Sequence, residues 1–593
     1  MLAEAAVPTD DAAFGVARSF TGRRWTLRET SDDQARELAR GGLSPLLARL
    51  LAARGVSPGE VETLINPTLK QLLPEPLSLK DMDKAVARVR EAIENGESIA
   101  VFGDYDVDGS TSAALLSDFL SALGRPPRIY VPDRLTEGYG PNAPAFLKLQ
   151  EEGASLVVTV DCGAAANTAL HAAKDAGLDV VVLDHHAVEV PPPAFAQVNP
   201  NQPGDTSGLG YLSAAGVTFL FLVALNRSLR DWYAANGIAE PDLRNYLDLV
   251  GLATICDVVP LVGVNRAFVR AGLARLSSRP GARALAEIAS IEPPFTAYHL
   301  GYVFGPRINA GGRVGKCSLG VELLTERDAQ RAGELAALLD LHNKERQSLE
   351  KLILEEATAV AAAADPAARF VLVEGDGWHS GVVGIVAGRL KERFNKPALV
   401  AGFEGGMGRG SARSVAGVDI GAIIRAAHAE GLLLSGGGHA MAAGFSLEKS
   451  RLDAFRAFLE SGFANHDAAL EQASELMLDL ALSPVGATTG FVEELARIGP
   501  FGAGNPEPLL VLPDVRVVFA DVVGKDHVRL RLAGGDGTRL DAIAFRAASG
   551  PLGEGLLGAR GRTIHAAGKL KRDDWNGRER VQLVVEDAAP AGG

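Results

Sequence analysis

SIAVFGDYDVDGSTSAALLSDFLSALG, residues 98–124, decides the fold of the first half of the chain. Residues 98–103 are a short apolar run of the kind a buried strand uses, and residues 109–124 have the composition of a helix. Between them Asp104, Asp106 and Asp108 alternate with Tyr105 and Val107. Working outward, DKAVARVREAIENG (83–96) reads as an amphipathic helix ended by Gly96. RIYVP (128–132), SLVVTV (155–160) and DVVVL (179–183) are further strands with helical segments between them. Short apolar strands alternating with helices predict an α/β fold built on a doubly wound parallel sheet.

Residues 326–365 are helical in composition and long enough to bridge two lobes. A second α/β pattern follows, with a strand at 370–375, a helix at 380–394 and a strand at 396–403. Two glycine-rich segments, GGMGRGSARS (405–414) and SGGGHAMAAGFS (435–446), read as exposed backbone loops in this lobe. Beyond about residue 478 the pattern turns to hairpins: 527–532 with 538–545, and 563–572 with 578–586 around Asn576-Gly577. Such short strands predict a small barrel. The implied order is an N-terminal extension (1–80), a first α/β domain (81–325), a bridging helix (326–365), a second α/β domain (366–477) and a C-terminal barrel (478–593).

Composition bounds the function. Three cysteines, Cys162, Cys256 and Cys317, lie far apart, so neither a zinc site nor a disulfide frame is expected and a reducing cytoplasm fits. No long charge-free apolar stretch predicts a membrane helix, and the start lacks a basic region before an apolar core. The net charge of −14 counts against a generally basic nucleic-acid binder. A local basic surface suffices for phosphate, however, and a cation-binding acid cluster makes the formal charge more negative than the loaded protein is.

The acids fall at strand ends. The first strand runs into Asp104, Asp106 and Asp108, the third ends at Asp161, and the fourth ends at Asp184-His185-His186. Asp257 closes the helical run 246–257. Open α/β sheets bind ligands beyond the carboxyl ends of their strands, so these groups should converge. Alternating aspartates alone are common in turns, and Asp161 alone could cap a helix. Their joint occurrence at successive strand ends points instead to Mn²⁺ or Mg²⁺, with two ions expected. Gly109 and Ser110, opening the next helix, offer amides for a phosphate.

GDYDVDGSTS (103–112), VTVDCG (158–163), LDHH (183–186) and ATICDVVPL (253–261) resemble, in order and spacing, the four motifs of the DHH phosphoesterase superfamily. PDRLTEGYGPN (132–142), GPRINAGGR (305–313), GWHSGVVGIVAGRL (377–390) and SGGGHAMAAGF (435–445) are similar to further signatures of its RecJ family. The resemblance spans roughly residues 45–590. It implies metal ligation by Asp106, Asp108, Asp161, His185 and Asp257, with Asp104 as an extra ligand. His186 would orient the site or touch the scissile phosphate, completing the catalytic set. Many DHH enzymes carry histidine four residues before the first ligand aspartate; here that residue is Phe102. One metal site is therefore expected to be weaker or to take its ligand from Asp104.

The same resemblance implies a 5′→3′ exonuclease that degrades single-stranded DNA to mononucleotides in recombination and repair. Substrate contacts are expected from Arg134, Arg307, Asn309 and Arg313, and from Arg409, Arg413, Gly438 and His439 in the second lobe. It implies that the barrel is an oligonucleotide-binding (OB) fold. Segment 559–582 holds seven basic residues against three acids, a net +4, with Trp575 inside it and Phe545 on a neighbouring strand. Charge interleaved with aromatics suits sequence-independent single-strand binding. Implied partners are single-strand binding protein and a RecQ-type helicase, with the enzyme a monomer. Competing expectations are a small-substrate DHH phosphodiesterase and a silent replication scaffold. The first usually lacks the barrel, and the second loses acids that are intact here. Some relatives carry a further C-terminal domain, and this chain ends soon after its barrel.

Overall fold

The computed structural model describes residues 12–133, 137, 138, 140–365, 367–573 and 580–592. Two compact units divide the chain: Pro67–Leu349 with Pro500–Pro506, and Met1–Asn66, Glu350–Gly499 and Glu507–Gly593.

The unit around Pro67–Leu349 is organised by a five-stranded, all-parallel sheet. Its spatial order is Arg128–Tyr130, Ile99–Gly103, Leu156–Val160, Asp179–Leu183 and Ala196–Val198. Ile99–Gly103 and Leu156–Val160 bury every residue, as strands covered on both faces must. Alternation splits them between two cores. Val101, Val158 and Val181 pack with residues of the helices Met82–Asn95, Val107–Ala122 and Ala214–Ser228. Ala100, Phe102, Val157 and Val182 pack with residues of Ala143–Glu151 and Asn167–Asp175 on the other side. The second strand in the chain lies outside the first, so strand order reverses between Ile99–Gly103 and Leu156–Val160. That reversal is the topological switch point where such sheets bind ligands.

The sheet agrees with the sequence reading except at its edge. Ala196–Val198 is three residues long, too short to show periodicity. Phe102 is fully buried against Phe146 and Tyr130, with ring centroids at 5.7 and 5.4 Å, so this side chain belongs to the second core. Behind the sheet, buried Arg279 is ion-paired to Asp248 and Asp118 and donates to the Leu324 carbonyl. Ala329–Ala363 is one continuous helix.

In the other unit a five-stranded mixed sheet has the order Ser435–His439, Ala442–Glu448, Met407–Arg413, Ala398–Glu404 and Val371–Asp376. Here the structure corrects the sequence: both glycine-rich segments are paired antiparallel strands, not exposed loops. Gly408, Gly410, Gly436 and Gly438 leave room for neighbouring atoms that a Cβ would strike. A Cβ on Gly410 would strike the Phe445 ring, so glycine lets that ring lie on the backbone.

The C-terminal barrel closes through Leu510–Val523, His527–Ala533, Arg539–Ala544, Arg580–Pro590 and Thr563–Asp573, the last pairing back to the first. Leu510–Val523 escaped the sequence reading because Pro513 and Asp514, the latter at φ 52°, interrupt its pattern at a register shift. The N-terminal strand Arg24–Leu27 pairs with Glu475–Leu478, and Trp25 donates from Nε1 to buried Asp587 at 2.9 Å. The three cysteines are free. Among the described residues no helix is long and apolar enough to cross a membrane.

Candidate active site

The acids gather at the switch point because each follows a strand end or closes a helix. Asp106 is the N-cap of Val107–Ala122, and its side chain accepts from Gly109 N at 3.1 Å. This overturns the expected phosphate site at Gly109 and Ser110. The helix begins two residues earlier, the Gly109 amide serves Asp106, and Ser110 N donates to the Asp106 carbonyl. Glycine is required at 109 because a Cβ would collide with the Asp104 backbone. Asp108, in the first turn of that helix, accepts from Ala214 N (2.6 Å) and Ala215 N (2.9 Å), which open Ala214–Ser228. Asp161 sits at φ 60°, a strained position for a side chain with a Cβ.

Asp184, a residue outside the expected site set, is the hub of the next loop. Its Oδ1 lies 2.8 Å from His186 Nδ1 and accepts from the amides of His185 and His186. Its Oδ2 accepts from Ala164 N at 2.9 Å. Asn199 and Asn201, just past the edge strand, donate to the carbonyls of His186 and His185. Sequence offered a signal only for Asp184, as the aspartate of LDHH.

His185 stands at the centre. Its Nε2 is 3.5 Å from Asp161 Oδ1, 3.6 Å from Asp257 Oδ2 and 3.8 Å from Asp108 Oδ2. Three overlapping groups bring ligand atoms within 4.8 Å of one another: Asp161, His185 and His186; Asp108, His185 and Asp257; Asp104, Asp106 and Asp161. All six expected metal ligands and His186 thus share one cluster.

Crowding strains the charges. Burial, then repulsion from Asp106 and Asp108, pushes Asp161 well above the usual carboxylate range. Burial also raises Asp108. Burial and the charges of Asp108 and Asp106 lift Asp257 to about 9. Burial disfavours the His186 imidazolium, yet the bond to Asp184 and its charge outweigh this and raise the pKa to about 9. Burial likewise opposes the Asp184 carboxylate, but His186 holds its pKa below the usual value. Buried carboxylates this close need cations. His185 Nε2 and Asp257 Oδ2 are buried with no hydrogen-bond partner, as atoms reserved for a metal would be. Oxygen-rich donors with imidazole fit Mn²⁺ or Mg²⁺.

The remaining expected residues fall into two places. Arg307, Asn309 and Arg313 lie on Gly305–Val314, whose Gly312 sits against the Tyr105 ring. Arg307 is engaged, donating from Nε to Asp340 and from Nη1 to the Val303 carbonyl, both at 2.9 Å. Arg409, Arg413, Gly438 and His439 lie on the strands of the mixed sheet in the other unit. Arg413 Nη1 donates to Ser411 Oγ, and Arg425, which sequence did not single out, donates to the Gly438 carbonyl at 2.7 Å. Arg134, the turn Asn576-Gly577 and Trp575 lie outside the described residues.

The basic surplus of the barrel is smaller than local counting implies. Lys569 pairs with Glu586, Lys571 with Glu507, Arg572 with Glu493 and Arg580 with Asp541, acids distant in sequence. Aromatic surface is nonetheless present. Phe545 is 54% exposed beside His527, and Phe519 is flanked by Arg529 and Arg560 at 5.5 and 5.9 Å.

Comparison with known proteins agrees with this architecture. Residues 98–254 match the model of the DHH family, N-terminal domain; 367–465 match the DHHA1 domain; 478–587 match the RecJ OB domain. The chain is 34% identical over 579 residues to the single-stranded-DNA-specific exonuclease RecJ of Bacillus subtilis, covering 95% of this chain and 71% of that protein. The crystal structure of Thermus thermophilus RecJ with Mn²⁺ superposes with a TM-score of 0.77 at 31% identity, covering 95% and 79% of the two chains. Its Mg²⁺ complex gives 0.72 at 30% identity, covering 96% and 79%. The chain therefore belongs to the RecJ family of single-stranded-DNA-specific exonucleases.

Proposed function

We propose that the protein is a metal-dependent exonuclease that degrades single-stranded DNA from its 5′ end to mononucleotides, in recombination and repair. The observation that carries this reading is the convergence of Asp104, Asp106, Asp108, Asp161, Asp257 and His185 at the switch point of a parallel sheet. The OB barrel and the names of its relatives support single-stranded DNA as substrate. The 5′ polarity is carried over from the family resemblance. We assign 81–325 to the catalytic domain, 326–365 to the bridging helix, 366–477 to substrate binding and 478–593 to strand capture, after the extension 1–80.

In this mechanism Asp104, Asp106, Asp108, Asp161, His185 and Asp257 would hold two Mn²⁺ or Mg²⁺ ions. When bound, such ions lower the pKa of a water and neutralise charge on the attacked phosphodiester. Asp108 is kept in position by the amides of Ala214 and Ala215. His186, held charged by Asp184, donates from Nε2 to a phosphate oxygen. Arg307 and Arg313, with Asn309, grip the strand near the scissile bond, and Arg134 is a further substrate contact implied by the family resemblance. Arg409, Arg413, Gly438 and His439 are assigned to phosphates of the substrate. The working setting is the cytoplasm, as a monomer, with single-strand binding protein and a RecQ-type helicase as partners.

Digestion of single-stranded DNA labelled at one end or the other tests the polarity. Immediate release of 5′-labelled mononucleotide, with the 3′-labelled strand shortening gradually, is expected. The reverse pattern would overturn the polarity, and cleavage confined to very short oligomers or cyclic dinucleotides would replace the exonuclease by a small-substrate phosphodiesterase.

A further inference from the structure

The metal cluster and the arginines are assigned to phosphates, and none of them is an aromatic platform for a base. One exposed aromatic pair beside the cluster offers one. The helix Ala297–His299 passes through a π-helical turn, Leu300–Phe304, into Gly305–Val314. Thr296 caps its start: Thr296 Oγ accepts from His299 N at 3.4 Å, and Thr296 N donates to His299 Nδ1 at 3.2 Å. Its inner side is anchored by buried Phe295 and Phe304, edge to face at 5.3 Å. Its outer side presents Tyr298 and Tyr302, four residues apart on one face. Their rings are stacked, with centroids at 4.9 Å and planes 23° apart, yet the residues are 64% and 67% exposed. π-Helical turns are rare and concentrate at functional sites.

The pair is tied to the cluster at both ends of its segment. Cys256 Sγ lies 3.4 Å from the Leu300 carbonyl, and Gly301 packs against Ile255; these residues immediately precede Asp257. Farther along, Gly312 lies against the ring of Tyr105, which sits between Asp104 and Asp106.

We propose that Tyr298 and Tyr302 form a stacking step that holds a nucleobase of the single strand beside the metal cluster. The inference rests on the exonuclease reading and deepens it, naming where a base is gripped. Continuity with the cluster favours DNA over a protein partner as the occupant. Every base has a π-face, so such a step is sequence-tolerant, and the bases of a duplex, already stacked, cannot use it.

The test uses the full chain with Mn²⁺ and a short oligothymidylate carrying one abasic position, moved stepwise along the strand. In wild type, one position should raise KM by about tenfold, the effect of losing a single stack. Tyr302→Ala should raise KM on the intact strand by a similar factor and become indifferent to the abasic position. Tyr302→Leu, which keeps bulk without a π-face, should behave like Tyr302→Ala, and Tyr302→Phe like wild type. Both rings are largely exposed, so thermal melts should match, which separates lost stacking from lost folding. If Tyr302→Ala and Tyr302→Leu keep the wild-type KM and abasic profile, the inference alone is overturned, including when they instead lose binding to a protein partner. Wild type that degrades no single strand overturns the proposed function and this inference with it.

Discussion

The carbonyl oxygen of Leu212 lies 3.1 Å from Nδ1 of His185. That contact fixes the tautomer, because a carbonyl accepts only from a protonated nitrogen. Nδ1 carries the proton, and the Nε2 lone pair turns toward Asp108, Asp161 and Asp257. His185→Ala should therefore weaken Mn²⁺ binding by about 100-fold or more, since disturbing even the outer partners of metal ligands costs about 10–100-fold. Calorimetric titration of both proteins checks this; equal affinities would remove His185 from the ligand set.

Asp184→Asn tests the hub of the same loop. Asparagine of the same shape keeps part of the backbone bonding but removes the charge that sustains the His186 imidazolium. The His186 pKa, read by NMR titration, should fall from about 9, and stability should drop by about 1–3 kcal/mol in urea denaturation, the cost of unsatisfied buried groups. An unchanged His186 titration would contradict the assignment.

The electrostatics also predict the pH dependence of the metal-free protein. Asp257 is lifted to about 9, and Asp108 and Asp161 are raised as well. A carboxyl with a folded pKa above its unfolded value binds more protons when folded, so its stabilising effect is lost as pH rises from about 4 toward 9. His186 acts in the same direction from about 6.5 upward. The Tm of the metal-free protein should fall from mildly acidic to mildly alkaline pH, and added Mn²⁺ should flatten the fall by binding the folded carboxylates. A metal-free Tm that climbs with pH would contradict the crowding described here.

Arg279 gives a purely structural prediction. It is buried and serves Asp118, Asp248 and the Leu324 carbonyl. Arg279→Met strands the Asp248 carboxylate, while Asp118 keeps its ion pair with Arg327, and removing one partner of a buried pair typically costs about 3–5 kcal/mol. The midpoint of urea unfolding should drop accordingly. The double change Asp248→Asn with Arg279→Met should recover part of the loss.

The first sheet was legible because its central strands Ile99–Gly103 and Leu156–Val160 are fully buried and uninterrupted, and because acids stand directly at strand ends. Both histidines could be assigned to the cluster for the same reason, whereas Asp257, which closes the helix Leu247–Cys256, was placed there by the family resemblance. Other features depend on partners remote in sequence. Nothing near residue 410 announces that Phe445 will lie upon it, so a strand looked like a loop. The acids that neutralise Lys569, Lys571 and Arg572 come from 493, 507 and 586, so a local charge count overstated the patch. Asn199 and Asn201 act through main-chain carbonyls of the histidines, a role with no residue pattern of its own.

Release of nucleotides from single-stranded and duplex DNA by wild type and Asp161→Ala, with Mn²⁺ or with a chelator, bears most directly on the central claim. The account predicts release only from single strands, only with wild type and only with metal. Undiminished release by Asp161→Ala, or release that persists in the chelator, would contradict it.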